Sequence, residues 1–343
     1  MTLTVLNVAY PLAPVGPDVV GGAEQVLSAL DTALVELGHR SLVVACEDSR
    51  PHGQLIPIPA FAPPFTDEVR QEAEAATRHA IESVLREEVV DLVHIHAVDF
   101  KALLPSQPVP VLVTLHLPLA FYGPDDLSPQ RPHTYFNSVS QTQHASLDLA
   151  LPLIDPIPNG VDLARFGGFR KRDFALFLGR ICPEKGVHLA IEAAEGAGIP
   201  LLIAGQVFGY ETHLRYFKEK IRPRLNRNVR FLGPLTGRAK RRVLAAARCL
   251  LLPALVEETS SLVAREAAAS GTPVVAFRRG ALVEAVVEGE TGFLVDGVEE
   301  MTNAIAACNR LAPEACRRKA QAEFSLSTMV DGYLNAYRHI APH

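Results

Sequence analysis

The stretch 253–276, PALVEETSSLVAREAAASGTPVVA, holds residues whose types and spacing could do chemistry. Glu258 and Glu266 stand with seven residues between them, on either side of Ser260, Ser261 and Leu262. Carboxylates only accept hydrogen bonds, so they suit hydroxyl groups. The apolar run 250–252 ends at Pro253, as a buried strand does. Residues 262–270 read as a helix: Leu262, Val263 and Ala267 share a face, the alanines favour helix, and Gly271 stops it. Residues 274–277 form a second buried strand. The helix's first amides, around 260–262, lack partners within it and sit at the positive end of its dipole, where an anion can bind. Hydroxyl, phosphate, hydroxyl in a row is the outline of a nucleotide sugar. The plain alternative is a capped, solvated amphipathic helix.

A second group of residues stands upstream. A strand over 174–178 runs into a turn carrying Arg180 and Lys185, closed by Gly186, and then a helix over 187–197. Arg180 can hold a phosphate through its planar fork, and Lys185 can act as a point charge. Alone, this is a surface loop. In the same half of the chain as Glu258 and Glu266, it reads as a diphosphate clamp. Both groups sit where a strand's carboxyl end meets a helix, which is where ligands bind in parallel α/β sheets.

These motifs resemble the retaining GT-B glycosyltransferases of the family-4 type. Glu258, Leu262 and Glu266-Ala267 match the Glu-x7-Glu signature, while Ser260 and Ser261 replace its usual Phe-Gly. Gly179-Arg180 and Lys185-Gly186 match the GR-x4-KG spacing. Gly21-Gly22-Ala23-Glu24 matches a GG-x-E element, and Pro158-Asn159-Gly160-Val161-Asp162 an element that precedes the second domain. The resemblance implies that Glu258 holds sugar hydroxyls, Glu266 the ribose, and the Ser261 and Leu262 amides the diphosphate. It places Gly22 next to the donor, His116 against the donor sugar, and Glu284 near the phosphates, where a helix-surface role is the alternative. His116, Arg180, Lys185 and Glu258 are thus the candidate catalytic residues. The implied fold is α/β: two Rossmann-like domains facing across a cleft, with a C-terminal helix crossing back to the first. The implied reaction moves a sugar from a nucleoside-diphosphate sugar, a UDP-sugar favoured, with retention. A front-face displacement replaces a protein nucleophile, and no cofactor or metal is needed.

The elements that must position these residues run in order along the chain. A strand over 2–9, a Gly-rich loop, a helix over 25–37 and a strand over 41–46 make a Rossmann-like opening without the G-x-G-x-x-G fingerprint. A charged helix spans 67–88. Strands over 91–96 and 109–116 each end in a histidine. His94 and His96 are read as structural and on opposite faces of their strand. They are not zinc candidates, since no carboxylate or cysteine is placed to complete a site. Residues 117–132 read as a mobile loop near the cleft, and 141–150 as a short helix. Helices are expected over 211–224, 236–247, 299–321 and 327–340. The basic residues of the first two, Lys240 among them, lack interleaved aromatics and read as a solvated face rather than a nucleic-acid surface. Domains are set at 1–166 and 167–326, joined by a linker at about 166–173, with the returning helix at 327–343.

Composition sets the outer bounds. The 343 residues are 48% hydrophobic and 21% charged, with a net charge of −5, so nothing draws the chain to nucleic acid or anionic lipid. Five cysteines without a C-x-x-C pair suggest buried free thiols in a reducing compartment. With no visible signal peptide or membrane-spanning run, a cytoplasmic location without stable membrane insertion is expected. The favoured acceptor is a soluble small molecule or saccharide. The alternatives are a lipid acceptor, or another GT-B enzyme such as a phosphorylase or sugar-nucleotide epimerase. An oxidoreductase lacks its glycine fingerprint, and a two-lobed solute-binding protein would not need Arg180 and Lys185.

Overall fold

The short apolar runs become strands buried on both faces, as a parallel sheet covered by helices requires. The computed structural model describes residues 2–17, 19–123, 125–127, 131–147 and 151–341. In chain order the first set is Thr4–Val8 (β1), Gly22–Glu36 (α1), Arg40–Cys46 (β2), Gln54–Ile58 (β3), Asp67–Glu87 (α2), Leu92–Ile95 (β4), Val111–Leu115 (β5), Thr134–Ser138 (β6) and Gln141–Ala145 (α3). The second set opens with Ala175–Leu178 (β7), Val187–Gly196 (α4), Leu201–Ala204 (β8), Glu211–Tyr216 (α5), Val229–Phe231 (β9) and Gly237–Ala246 (α6). It continues with Cys249–Leu252 (β10), Leu262–Ala269 (α7), Val274–Phe277 (β11), Leu282–Ala285 (α8), Gly292–Val295 (β12), Val298–Ala307 (α9) and Pro313–Glu323 (α10). Leu326–Ile340 (α11) closes the chain.

Two six-stranded sheets result, ordered β3-β2-β1-β4-β5-β6 and β12-β11-β10-β7-β8-β9. Every strand pair in both is parallel. In each sheet the strand order reverses between the first strand and the fourth: β1 beside β4, and β7 beside β10. Loops leaving such a pair part to opposite sides and open a crevice at the strands' carboxyl ends. The chain packs as two compact units, Met1–Pro158 with Thr328–His343, and Asn159–Ser327. That division falls ahead of the 166–173 linker.

The last helix belongs to the first unit's core. Its buried face carries Met329, Val330, Tyr333, Leu334, Tyr337 and Ile340. The Tyr337 hydroxyl lies 2.7 Å from His94 Nδ1, and that of Tyr333 lies 3.3 Å from Thr114 Oγ1.

Several elements differ from expectation. The helix expected over 299–321 is two, because Pro313 cannot continue α9 and instead starts α10. The 211–224 helix keeps α-geometry only to Tyr216, then widens into a π-helical stretch, Phe217–Ile221. In the segment 117–132, the described part forms a 3-10 turn, Leu119–Phe121, and buries Tyr122. The helix expected over 141–150 ends at Ala145, and 148–150 lie outside the described residues. His94 and His96 do not face opposite ways: their ring centroids are 3.9 Å apart. Side chains two apart on a strand share a face, so the expectation had the alternation backwards.

Candidate functional site

In the second unit the residues singled out from sequence converge where the strand order reverses. The turn after β7 carries Arg180 and Lys185, and the loop after β10 carries Glu258. The two segments are locked together. The Leu255 amide donates to the Glu184 carbonyl at 2.8 Å. Gly186 takes a left-handed φ of 65°, and a Cβ there would collide with the Pro253 carbonyl. Only glycine meets both demands.

Lys185 Nζ bonds Glu258 Oε1 directly, and the Glu258 side chain is only 11% exposed. The neighbouring Glu257 points elsewhere: it accepts from the Gly280 amide, pairs with Arg279, and is largely exposed. Gly280, at φ 53°, lies against the Glu258 backbone, where a side chain would clash. The Ala281 amide donates to the Glu258 carbonyl at 2.7 Å. Arg180 is half-buried, and among the described residues its guanidinium makes no ion pair or hydrogen bond.

α7 begins at an unusual backbone. Ser261 is its N-cap at φ 53° and ψ 75°, one of two non-glycine residues at positive φ among the described residues. The Ser261 carbonyl accepts from Ala264 at 3.1 Å and Arg265 at 3.3 Å, starting the helix, while the Ser261 and Leu262 amides have no backbone partner among the described residues. Ser260 is buried, its hydroxyl has no partner among the described residues, and its carbonyl accepts from Arg265 Nε at 3.3 Å. Burial pushes Arg265 down to about 10, and its guanidinium lies over the Phe324 ring at 4.6 Å.

Glu266 has a partner that spacing did not suggest. Lys240 of α6 donates to Glu266 Oε1 at 2.6 Å, with side chains 15% and 9% exposed. This corrects the reading of Lys240 as part of a solvated face. The signal was spatial: α6 packs on α7, which spacing along the chain does not reveal. Glu284 sits half-buried on α8, and its charge reaches Arg265.

The first unit holds the remaining candidates. The loop after β1 leads to Gly22, the first residue of α1. His116 follows β5, and its Nε2 lies 2.9 Å from His96 Nδ1. Desolvation pushes His116 down to about 3 and holds His94 and His96 well below the ordinary imidazole range. All three are therefore neutral at physiological pH. His96 Nε2 is buried without a partner among the described residues.

The structure also assembles a group that spacing did not suggest. Cys182, Glu184 and His213 present ligand atoms within 4.8 Å of one another. All five cysteines are free and buried.

Residues 163–322 match the family model described as glycosyl transferases group 1, and 20–165 match that of glycosyltransferase family 4. A glycogen synthase of Mycobacterium tuberculosis is 34% identical over 204 residues, 54% of this chain and 48% of its own length. A D-inositol 3-phosphate glycosyltransferase of Mycolicibacterium smegmatis is 32% identical over 216 residues, 58% of this chain and 49% of its own. The chain thus spans about half the length of these curated relatives. Among solved structures, Anabaena Alr3699/HepE in complex with UDP-glucose superposes with a TM-score of 0.75 at 20% identity, over 97% of this chain and 100% of that one.

Proposed function

This chain belongs to the GT-B glycosyltransferases of the family-4 type, and we propose that it moves a sugar from a UDP-sugar to a hydroxyl of a soluble small molecule or saccharide, with retention. The observation that carries the reading is the convergence of the β7 turn and the β10 loop, which sets Lys185 on Glu258 beside the start of α7. Lys185 has three donors; one on Glu258 leaves two for a diphosphate. Arg180 adds a fork, and the α7 N-terminus adds oriented amides. Charge grows on the leaving diphosphate as the bond from the sugar's C1 to phosphate oxygen breaks, and preorganised positive groups act most strongly there. These groups stand in for the divalent ion such chemistry otherwise recruits. Glu258 receives sugar hydroxyls and Glu266, oriented by Lys240, the ribose. As the C1–phosphate bond breaks, the acceptor oxygen bonds C1 on the same face, and its proton passes to the departing phosphate oxygen.

The UDP preference is supported by the UDP-glucose complex of HepE, and the acceptor class by the inositol phosphate and glycogen relatives. Buried free thiols fit a reducing, cytoplasmic compartment. Among the described residues no helix is long and apolar enough to cross a membrane.

A thermal-shift panel of nucleotides and nucleotide sugars tests the donor, since a ligand at 100 times its dissociation constant adds about 2.7 kcal/mol. Product analysis with the best donor then tests the reaction. The expected product keeps the donor's anomeric configuration and forms at a rate that added magnesium or manganese does not raise. Phosphorolysis, or epimerised nucleotide sugar without an acceptor, would replace this reading.

A further inference from the structure

Cys182 and Glu184 flank Pro183 within the turn that carries Arg180 and Lys185, and His213 stands on α5. One ligand atom from each, Sγ, a carboxylate oxygen and an imidazole nitrogen, lies within 4.8 Å of the other two. Two of these groups are poorly satisfied as they stand. His213 is 6% exposed and its Nδ1 is buried without a hydrogen-bond partner among the described residues. Glu184 Oε2 is buried and unpaired in the same way. Cys182 is fully buried; its thiol reaches the Arg180 carbonyl at 3.9 Å and also meets the Glu184 carboxylate, the hydrogen bond that a metal would replace. The rings of Phe208 and Tyr210 stand edge-on to His213, at 6.5 and 5.2 Å, and hold its plane. Buried polar atoms left without partners on two residues of one such cluster call for a partner.

We propose that Cys182, Glu184 and His213 bind a divalent transition metal, zinc above all, that ties the 180–186 turn to α5. The donor set selects the ion. Thiolate, imidazole and carboxylate are the ligands of zinc, whereas magnesium and calcium take oxygen alone. On binding, the thiol releases its proton to solvent; the thiolate and the carboxylate then balance the ion's two charges, and the imidazole binds neutral. The site supplies no Lewis acid to the phosphates. Its action is to fix the turn between Arg180 and Lys185, and metal binding stands or falls independently of the donor assignment.

Cobalt(II) alone is the probe. The full chain, stripped of metal and titrated, takes up about one cobalt per molecule with a thiolate-to-cobalt charge-transfer band, as a single Cys-containing site would give. Zinc abolishes the band by displacement and raises the melting temperature. Cys182→Ser removes the band, and His213→Gln weakens cobalt binding by about tenfold or more. Circular dichroism checks that each variant is folded; should Cys182→Ser fail that check, His213→Gln carries the test. Absence of the band in the wild-type chain overturns the proposal, as does a band that persists in folded Cys182→Ser and so belongs to another thiol. A melting temperature unmoved by zinc does the same.

Discussion

Ser261 takes the left-handed backbone, φ 53°, at the position where the family signature has glycine. A residue with a Cβ is strained there by about 1–2 kcal/mol, so the loop keeps its shape at the expense of this one residue. Ser261→Gly is expected to leave transfer unchanged and to stabilise by at most about 1 kcal/mol, since part of the relieved strain is offset by a more flexible unfolded chain. Ser261→Val should destabilise by more than 1 kcal/mol, roughly, because a β-branched residue fits that region worst. Urea midpoints of the three proteins check this; equal midpoints would mean that the strain is absent. The two glutamates should separate. Glu266→Ala weakens nucleotide binding by about 1.5–3 kcal/mol, the worth of hydrogen bonds to a charged group. Glu258→Ala leaves nucleoside diphosphate binding nearly intact and lowers transfer. Calorimetry beside turnover shows which; loss of nucleotide in both variants would count against a separate sugar role for Glu258. Arg180→Ala and Lys185→Ala should lower kcat far more than they weaken nucleoside binding, because the diphosphate gains charge only in the transition state. Steady-state kinetics that place the loss in KM would count against that role. At this scale the sequence offers candidate residues but not their partners. Lys240 on Glu266, and His213 beside Cys182, meet through packing of separate elements, and no local spacing encodes that.

The element with most leverage in the first unit is α11. Thr114 donates to Asn137 Oδ1 at 2.6 Å, so its oxygen accepts from His94 Nε2 at 2.7 Å. That leaves His94 Nδ1 to accept from the Tyr337 hydroxyl at 2.7 Å. The arrangement requires a neutral His94. Its folded pKa lies well below the ordinary 6.5, as does that of His96, while His116 is pushed down to about 3, all chiefly by desolvation. Below pH 6.5 the unfolded chain binds protons that the folded one refuses. Stability is therefore fully present above about 6.5 and is lost as pH falls, at about 1.4 kcal/mol per pH unit for each such histidine. Urea midpoints between pH 7 and 5 should fall accordingly, and His94→Gln should flatten the slope by one proton. An unchanged slope would mean that His94 titrates normally. The sheets around this network were legible because runs such as 250–252 and 274–277 are apolar on every residue, which only a strand covered on both faces tolerates. Helix interruptions were less so. Pro313 marks one interruption in the sequence, whereas the π-helical widening at Phe217–Ile221 carries no local mark.

For the whole molecule the open question is what accepts the sugar, and charge bears on it. An enzyme that works on a membrane lipid gains from basic or amphipathic surface, roughly 1 kcal/mol per Lys or Arg near an anionic bilayer. This chain has a net charge of −5. Its longest helix in the first unit, α2, carries Asp67, Glu68, Glu72, Glu74, Glu82 and Glu87 against Arg70, Arg78 and Arg86, and Glu88 follows as the C-cap. Arg86 stands one residue from Glu87, and Arg70 is pulled to Asp67 and Asp99 at 3.6 and 3.3 Å. Little positive charge is left to greet a phosphate headgroup, so an anionic surface repels this face. A soluble acceptor is what this charge distribution predicts. Flotation with anionic vesicles at low salt, where such attraction is least screened, measures it: the chain should stay at the bottom of the gradient. Co-flotation that vanishes in high salt, or transfer to a lipid-linked acceptor alone, would place the acceptor in the membrane instead.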